Sequence, residues 1–371
     1  MANPRYADTI VIGGGTSGSV VAGLLAGGSD QSVLVLEAGP DYGAADSGRW
    51  PWDLRNASAL GTSDDGGYDS ETTYPGRVVP FERAKVIGGC SSHNGCAAIW
   101  GTRTDYDDWA ATGLAGWSAD DLLPLFREAN RRMRVTEYRS DQVTPFQQAC
   151  LDAAAVAGVP MSSDLNDLDE NEGMAASPVN IFEGIRWNAA FAYLDPVRAQ
   201  PNLTVVGNAP VSRVIVEGSR VTGVEVIGPG GVFRVECGRV VLSAGTYESP
   251  AVLLRSGIGS PNELEAVGVQ AVQSLPGVGR NLHDHPSVSI VHEGTKTLER
   301  RMIEFGASHW MPEEQTIAKL RSSRYPAGEA GFDLHFYPVG GPAPGGEGGW
   351  RWAFPIACMT PKSRGTVRLR S

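Results

Sequence analysis

The sequence predicts an α/β protein in which a parallel, dinucleotide-binding sheet is interleaved with a second, α+β unit. Three observations carry this expectation. A complete strand–helix–strand unit opens the chain, a run of short alternating strands occupies residues 211–243, and amphipathic helices lie between them. With 371 residues, 42% of them hydrophobic, the chain is long enough for two domains and a sizeable core.

The opening unit is read element by element. Thr9-Ile10-Val11-Ile12 is a buried parallel strand, and Gly13-Gly14-Gly15-Thr16-Ser17-Gly18 follows at once. Ser19 to Ala26 is a helix of small and apolar residues. Gly27 to Asp30 turns the chain, and Val33 to Leu36 is the second strand, with Glu37 at its end. Gly13 permits the tight turn, Gly15 lets the backbone approach a pyrophosphate, and Gly18 lets helix and strand pack closely. The helix N-terminus offers free N–H groups to phosphate oxygens, and Thr16 and Ser17 in the turn before it are further candidates to hold the cofactor. Glu37 lies 19 residues beyond Gly18, where a carboxylate can accept from ribose hydroxyls. The motif's place at the head of the chain, followed by Ala38-Gly39, favours FAD over NAD.

Further along, residues 211–243 read as a β-meander with strands Arg213–Val216, Val221–Ile227, Val232–Val235 and Arg239–Ser243. Thr246 to Pro250 reads as a helix start with Pro in its first turn, Ala251 to Arg255 continues that helix, and Ser260-Pro261-Asn262-Glu263 opens a short one. Asp120 to Glu128 and Pro145 to Ala157 read as amphipathic surface helices. Residues 332–337 alternate as a strand, with His335 and Tyr337 on one face. Residues 340–349, rich in Gly and Pro, read as a mobile loop. The expected divisions are 1–110 and 196–290 for the two parts of the dinucleotide domain, 111–195 for connecting helices and the start of the second domain, and 291–371 for its sheet.

Composition excludes several classes. A net charge of −11 argues against nucleic acid or an anionic membrane as partner. No stretch approaches about 20 apolar residues, so no membrane span is expected. Five cysteines without a C-x-x-C fit a reducing cytoplasm. His283 and His285 lack companions for a metal site.

The middle of the chain carries the remaining motifs. Arg83-Ala84-Lys85-Val86-Ile87-Gly88-Gly89-Cys90-Ser91-Ser92-His93-Asn94-Gly95 sets paired glycines beside small polar donors, suited to a close contact with a flat ring or phosphate. Val240 to Ala244 is a strand that runs through Gly245 into a helix ending at Ser256-Gly257-Ile258-Gly259. Asn281-Leu282-His283-Asp284-His285-Pro286 follows. Together with the opening fingerprint, these four ordered motifs resemble the glucose–methanol–choline (GMC) oxidoreductase family. The likeness is strongest to its choline-oxidising members and extends over nearly the whole chain.

The resemblance implies a Rossmann-like FAD-binding domain with an interleaved α+β substrate domain, incomplete at the C-terminus. It implies FAD in extended form and oxidation of a small alcohol by hydride transfer to flavin. By that likeness, Gly88, Gly89, Ser91, Asn94 and Gly95 lie along the flavin, with Ala244 and Gly245 opposite and Val211 near the adenine. Asp284 and His285 hold their loop against the flavin domain. His93 stands where a ring nitrogen tethers the flavin covalently. Glu293, with Trp50 and Trp310, matches a carboxylate and aromatic wall around a cationic substrate. Gly95 in place of a serine, and Tyr337 in place of a histidine, depart from that pattern, so a sugar or glycoside stays open. The family's His–His or His–Asn pair comes from a segment beyond the position of Ser371. Its absence predicts either a second polypeptide or a truncated product, with His335 as the best base within this chain. A flavin-binding subunit without turnover, or a non-redox lyase on the same fold, is the competing reading.

Overall fold

The computed structural model describes residues 4–71, 76, 78–170, 172–228, 230–342 and 349–371. Its first sheet takes β1 (Tyr6–Ile12), β2 (Val33–Leu36), β3 (Leu203–Val206), β4 (Val211–Glu217), β5 (Arg220–Gly228) and β6 (Gly231–Leu242), in the spatial order β3-β2-β1-β6-β5-β4. β3, β2, β1 and the second half of β6 run parallel. Ile10, Val11 and Ile12 are buried to 3% exposure or less. Burial of β1 on both faces explains why it reads as an uninterrupted apolar run. One face packs Val11, Val33 and Val35 against helix α1 (Thr16–Gly28) and the buried segment Ala190–Leu194. The other packs Ile10, Ile12, Leu34 and Leu36 against the meander and Val252.

The meander is present, with one change from expectation. The two predicted strands Val232–Val235 and Arg239–Ser243 are a single strand, β6. It runs antiparallel to β5 up to Glu236, then parallel to β1 from Glu236 to Leu242. Gly238 does not break it, because the parallel ladder resumes at Arg239 opposite Thr9. The helix after it, Gly245–Arg255, begins one residue before the expected start at Thr246, and Pro250 lies inside it rather than in its first turn.

The second sheet gathers β7 (Ser287–His292), β8 (Thr316–Leu320), β9 (Leu334–Phe336), β10 (Val339–Pro342), β11 (Trp350–Cys358) and the strand Gly173–Ala176. The order is β7-β11-β9-β8-Gly173–Ala176, with β10 also on β11. All its pairs are antiparallel. β7 straddles the boundary expected at 290 and pairs only in this sheet. Part of the expected loop at 340–349 is β10, and residues 343–348 lie outside the described residues. The last residues make no strand: Gly365 forms an isolated bridge with Leu282, and Val367 donates to the Gly279 carbonyl. The amphipathic helices are Ala119–Arg132 and Pro145–Val156, each opened by a capping side chain, Ser118 and Thr144. Among the described residues no helix is long and apolar enough to cross a membrane.

Candidate active site

A cleft of about 930 Å³ opens at the carboxyl ends of β1, β2 and β6, where Ile12, Leu36 and Leu242 reach it. This is where a ligand lies in an open α/β sheet. Its floor is the glycine turn. Gly13 has φ +88° and donates to the Leu36 carbonyl at 2.9 Å. A Cβ on Gly18 would stand 1.9 Å from the Gly13 carbonyl oxygen, so only glycine lets α1 sit this close to β1. Gly15 caps α1 with no side-chain hydrogen bond, and Gly15, Thr16 and Ser17 line the cleft. The first amides of α1 are thus presented to a ligand, as a pyrophosphate requires.

Glu37 lines the same cleft, and both its oxygens are already engaged. Oε2 accepts from Gly14 N and Oε1 from Gly39 N, each at 2.8 Å. Burial raises its pKa, while the amides of Gly39, Gly14 and Ala38 oppose the rise. Each carboxylate oxygen has a second lone pair, so the residue braces the turn and can still accept a hydroxyl. Ala38 and Val211 line the cleft nearby. Across it stand Ala244, which caps the Gly245–Arg255 helix, and Gly245, whose φ is +84° and whose Cβ would meet nothing within 4 Å. These bare backbone surfaces form a cradle that side chains would fill, and they fit an extended dinucleotide.

The Gly88–Gly95 run folds over the glycine turn. Gly88 N donates to the Gly14 carbonyl at 2.8 Å, and a Cβ on Gly89 would come within 2.7 Å of Gly15 Cα. Ser91 N donates to Thr16 Oγ1 at 3.2 Å, and Ser91 Oγ donates to the Gly88 carbonyl at 2.6 Å. Gly89 and Cys90 line the cleft. His93 is buried behind that wall, with Nε2 2.6 Å from the Ser63 carbonyl oxygen. Asn94 is exposed, and its carbonyl accepts from the fully buried Arg186.

The substrate-side candidates are more scattered. Asp284 pairs with Arg83 at 3.1 Å, and Arg83 lines the cleft, so the Asp284–His285 loop is tied to the cleft wall. His335 lies in β9 opposite Lys319, stacked on Phe332 at 4.9 Å. Its Nε2 is buried without a hydrogen-bond partner. Burial, then Lys319 and then His285, push its pKa down to about 4, so the ring is neutral near pH 7. Tyr337 follows β9, its N–H donating to the Pro355 carbonyl. Glu293 is exposed just past the end of β7. Trp50 does not join it: it is 8% exposed, packs edge-on against Phe191 and donates Nε1 to the Gly43 carbonyl, inside the core. Trp310 lies over Gly184. The aromatic wall expected around Glu293 is therefore not assembled by these residues. Among the described residues no group of three or more potential ligands could hold a metal.

Two groups escaped sequence reasoning. The carboxyl of Glu314 lies 3.4 Å from where a Cβ on Gly95 would be. Burial and the neighbouring Glu313 raise its pKa to about 7. Asp53 and Arg186 fold the segment 53–63 onto the His93 loop. Neither pairing has a local signal, since each joins residues distant in sequence.

An open parallel sheet with a glycine cradle and a bracing acid defines the class: a dinucleotide-binding α/β protein of the flavoprotein kind. Comparison with known proteins then places it. The chain matches the GMC oxidoreductase family over residues 7–287 and belongs to that family. It is 36% identical to human mitochondrial choline dehydrogenase over 310 residues, which are 78% of this chain and 52% of that protein. It is 31% identical to the oxygen-dependent choline dehydrogenase of Brucella anthropi over 397 residues, 98% of this chain and 71% of that one. Among solved structures, pyridoxine 4-oxidase from Mesorbium loti superimposes with TM-score 0.82 at 28% identity, covering 98% of this chain and 73% of that one. The chain thus spans about half the length of the human choline dehydrogenase it matches. GMC oxidoreductases bind FAD, and the cradle described above suits that cofactor.

Proposed function

We propose that this chain carries the FAD of an enzyme that oxidises a small alcohol, CH–OH to carbonyl. The observation that carries the reading is the cleft at the carboxyl ends of β1, β2 and β6, floored by bare glycine backbone. Bound there, the flavin would supply the hydride acceptor. The residues proposed to hold it are Gly13, Gly15, Thr16, Ser17 and Gly18 at the pyrophosphate, Glu37, Ala38 and Val211 at the adenosine, and Gly88, Gly89, Ser91, His93, Asn94, Gly95, Ala244 and Gly245 along the flavin. Asp284, through its ion pair with Arg83, and His285 beside it are proposed to hold their loop against that half. His93 is the proposed point of covalent attachment.

For the alcohol proton, His335 is the proposed base within this chain, neutral near pH 7 and so able to accept one. Desolvation that lowers its pKa also makes it a weak base, which agrees with the main acid–base pair coming from a further segment or a second chain. Glu293 and Tyr337 complete the proposed substrate side. The relatives' names make choline, glucose and pyridoxine reasonable probes.

The test is anaerobic mixing of the FAD-loaded protein, with any companion chain, against choline, glucosides, aryl alcohols and pyridoxine. Bleaching of the flavin band by one of them supports the proposal. A yellow protein that none of them bleaches supports the competing reading, a flavin-binding subunit without turnover.

A further inference from the structure

We propose that Glu314 is a specificity-determining residue that receives a protonated primary or secondary amine, so that the alcohol this protein takes is an amino alcohol bearing N–H groups. That the ligand is the substrate rests on the alcohol oxidation proposed above; the binding site itself does not.

Glu314 lies where the second sheet meets the Gly88–Gly95 run, and the chain on either side of it is pinned. Glu313 N donates to the Ser58 carbonyl at 3.0 Å, and Gly340 N donates to the Glu313 carbonyl at 2.9 Å. Gln315 Oε1 accepts from Thr144 N at 2.7 Å, and its Nε2 donates to the Gln142 carbonyl at 2.8 Å. Glu314 itself forms a bridge with Val339. Successive side chains of an extended chain point to opposite faces, so Gln315, held by the segment before the Pro145–Val156 helix, sends Glu314 the other way. There its Oε2 stands 3.4 Å from where a Cβ on Gly95 would be. The backbone thus fixes the carboxylate before any ligand arrives.

This carboxyl has no partner. Among the described residues nothing donates to either oxygen and no cation pairs with it. Part of Glu314 stays open, yet it lies deep enough that burial is the larger cause of its raised pKa, and the neighbour that adds to the rise is another acid, Glu313. The surrounding groups do not balance it. Burial pushes the Cys96 thiol up to about 12, so it is neutral. Arg186 spends its guanidinium on the carbonyls of Asp53, Leu54, Asn56, Ala59 and Asn94. Arg351 acts on Glu313. A second, independent sign is Tyr138, which packs on Cys96, the residue after Gly95. Its hydroxyl is buried without a hydrogen-bond partner, and its pKa is raised by burial, then by Cys96 and Glu314. Two enclosed polar groups left unmatched are costly to the fold unless a ligand completes them.

The unmatched groups select the ligand. Two acids without a free cation call for positive charge. An ionised carboxyl accepts about four hydrogen bonds, so that charge should bring N–H donors. A quaternary ammonium brings none and is held by aromatic faces instead, but Trp50 is in the core and Trp310 lies over Gly184. A neutral polyol can donate, but it leaves the charge unbalanced. Gly95 leaves the space before the carboxylate clear. Leu60, 55% exposed, has Cδ2 3.8 Å from the same Cβ position and offers an apolar wall to the ligand's carbon chain.

The experiment measures binding to the full FAD-loaded chain by anaerobic calorimetry. The probes are ethanolamine and N-methylethanolamine, choline as the ammonium without N–H, and ethylene glycol as the neutral diol. The two amines with N–H should bind roughly tenfold or more tighter than choline or the diol. With the Glu314 carboxyl raised to about 7, an arriving ammonium should displace its proton. A pH indicator in weakly buffered solution near neutrality should record that release. E314Q should bind both amines roughly tenfold or more weakly, release no proton, and bind the diol as wild type does. Choline or the diol binding as tightly as ethanolamine overturns the proposal with no variant needed, as does failure of both amines to bind. So does an E314Q protein with unchanged affinity and unchanged proton release, since a merely structural glutamate would behave that way. If the amines bind with the Glu314 signature but leave the flavin band unbleached, the site stands and the oxidation reading fails. If another alcohol bleaches the flavin while the amines do not bind, the oxidation reading stands and this proposal fails.

Discussion

At the scale of single residues, the glycines and one acid set the limits of the site. Gly89 has φ +55°, and a Cβ there would stand 2.7 Å from Gly15 Cα, a backbone atom that cannot swing away. G89A should therefore cost about 2 kcal/mol or more and abolish flavin uptake, read by thermal unfolding and by flavin content. Glu314 gives a pH signature. Its carboxyl is raised to about 7 against an ordinary 4.5, so the folded state binds this proton more tightly than the unfolded one. Stability from this group is present below pH 4.5 and is lost as pH rises toward 7, up to about 3 kcal/mol from a shift of this size. E314Q should flatten that slope in urea melts between pH 5 and pH 8; a slope equal to wild type would remove Glu314 from the site's electrostatics. The contrast between these residues shows what was legible in the chain. Gly13, Gly15 and Gly18 could be read because a tight turn dictates residue type at fixed spacing. Glu314 could not, because its proximity to Gly95 exists only after two distant segments fold together.

At the scale of elements, the first sheet was largely readable, whereas of the second only the strand within residues 332–337 was. β1, β2 and the meander are contiguous stretches with strong apolar patterns. The second sheet draws strands from residue 173 to residue 358, joined by helices and loops, so no local window reveals its order. β6 was misread as two strands because its partner changes at Glu236, and the burial pattern changes with it. β7 shows the same dependence on context. All six of its residues are exposed, Val288 at 71% and Ile290 at 57%, although it is fully paired to β11. Its other edge carries no strand among the described residues. Such an edge invites pairing with another chain. V288K/I290K should leave stability within about 0.5 kcal/mol of wild type while delaying aggregation, as read by light scattering during heating. A large loss of stability would mean these side chains are covered in solution.

At the scale of the whole molecule, the cleft is where separate parts of the chain meet. Residues drawn from the segments 12–17, 36–38, 66–68, 83–90, 210–212 and 242–255 line it. A ligand there ties the parallel sheet to the Gly88–Gly95 run and to the Gly245–Arg255 helix, and the unfolded chain has no such site. Ligand at a hundred times its dissociation constant should then stabilise the fold by about 2.7 kcal/mol, seen as a rise of a few degrees in Tm. The cleft also predicts which half of the cofactor matters. The glycine turn, the α1 amides and Glu37 address the pyrophosphate and ribose of the adenylate half, and they are preformed, with Glu37 already locked by Gly14 and Gly39. ADP alone should therefore give much of the shift obtained with FAD, whereas FMN, lacking adenosine, should give little. E37A unlocks the turn and removes a hydroxyl acceptor, so it should suppress the ADP and FAD shifts together. An FMN shift equal to that of FAD, with none from ADP, would place the binding energy in the flavin half and overturn this assignment of the cradle.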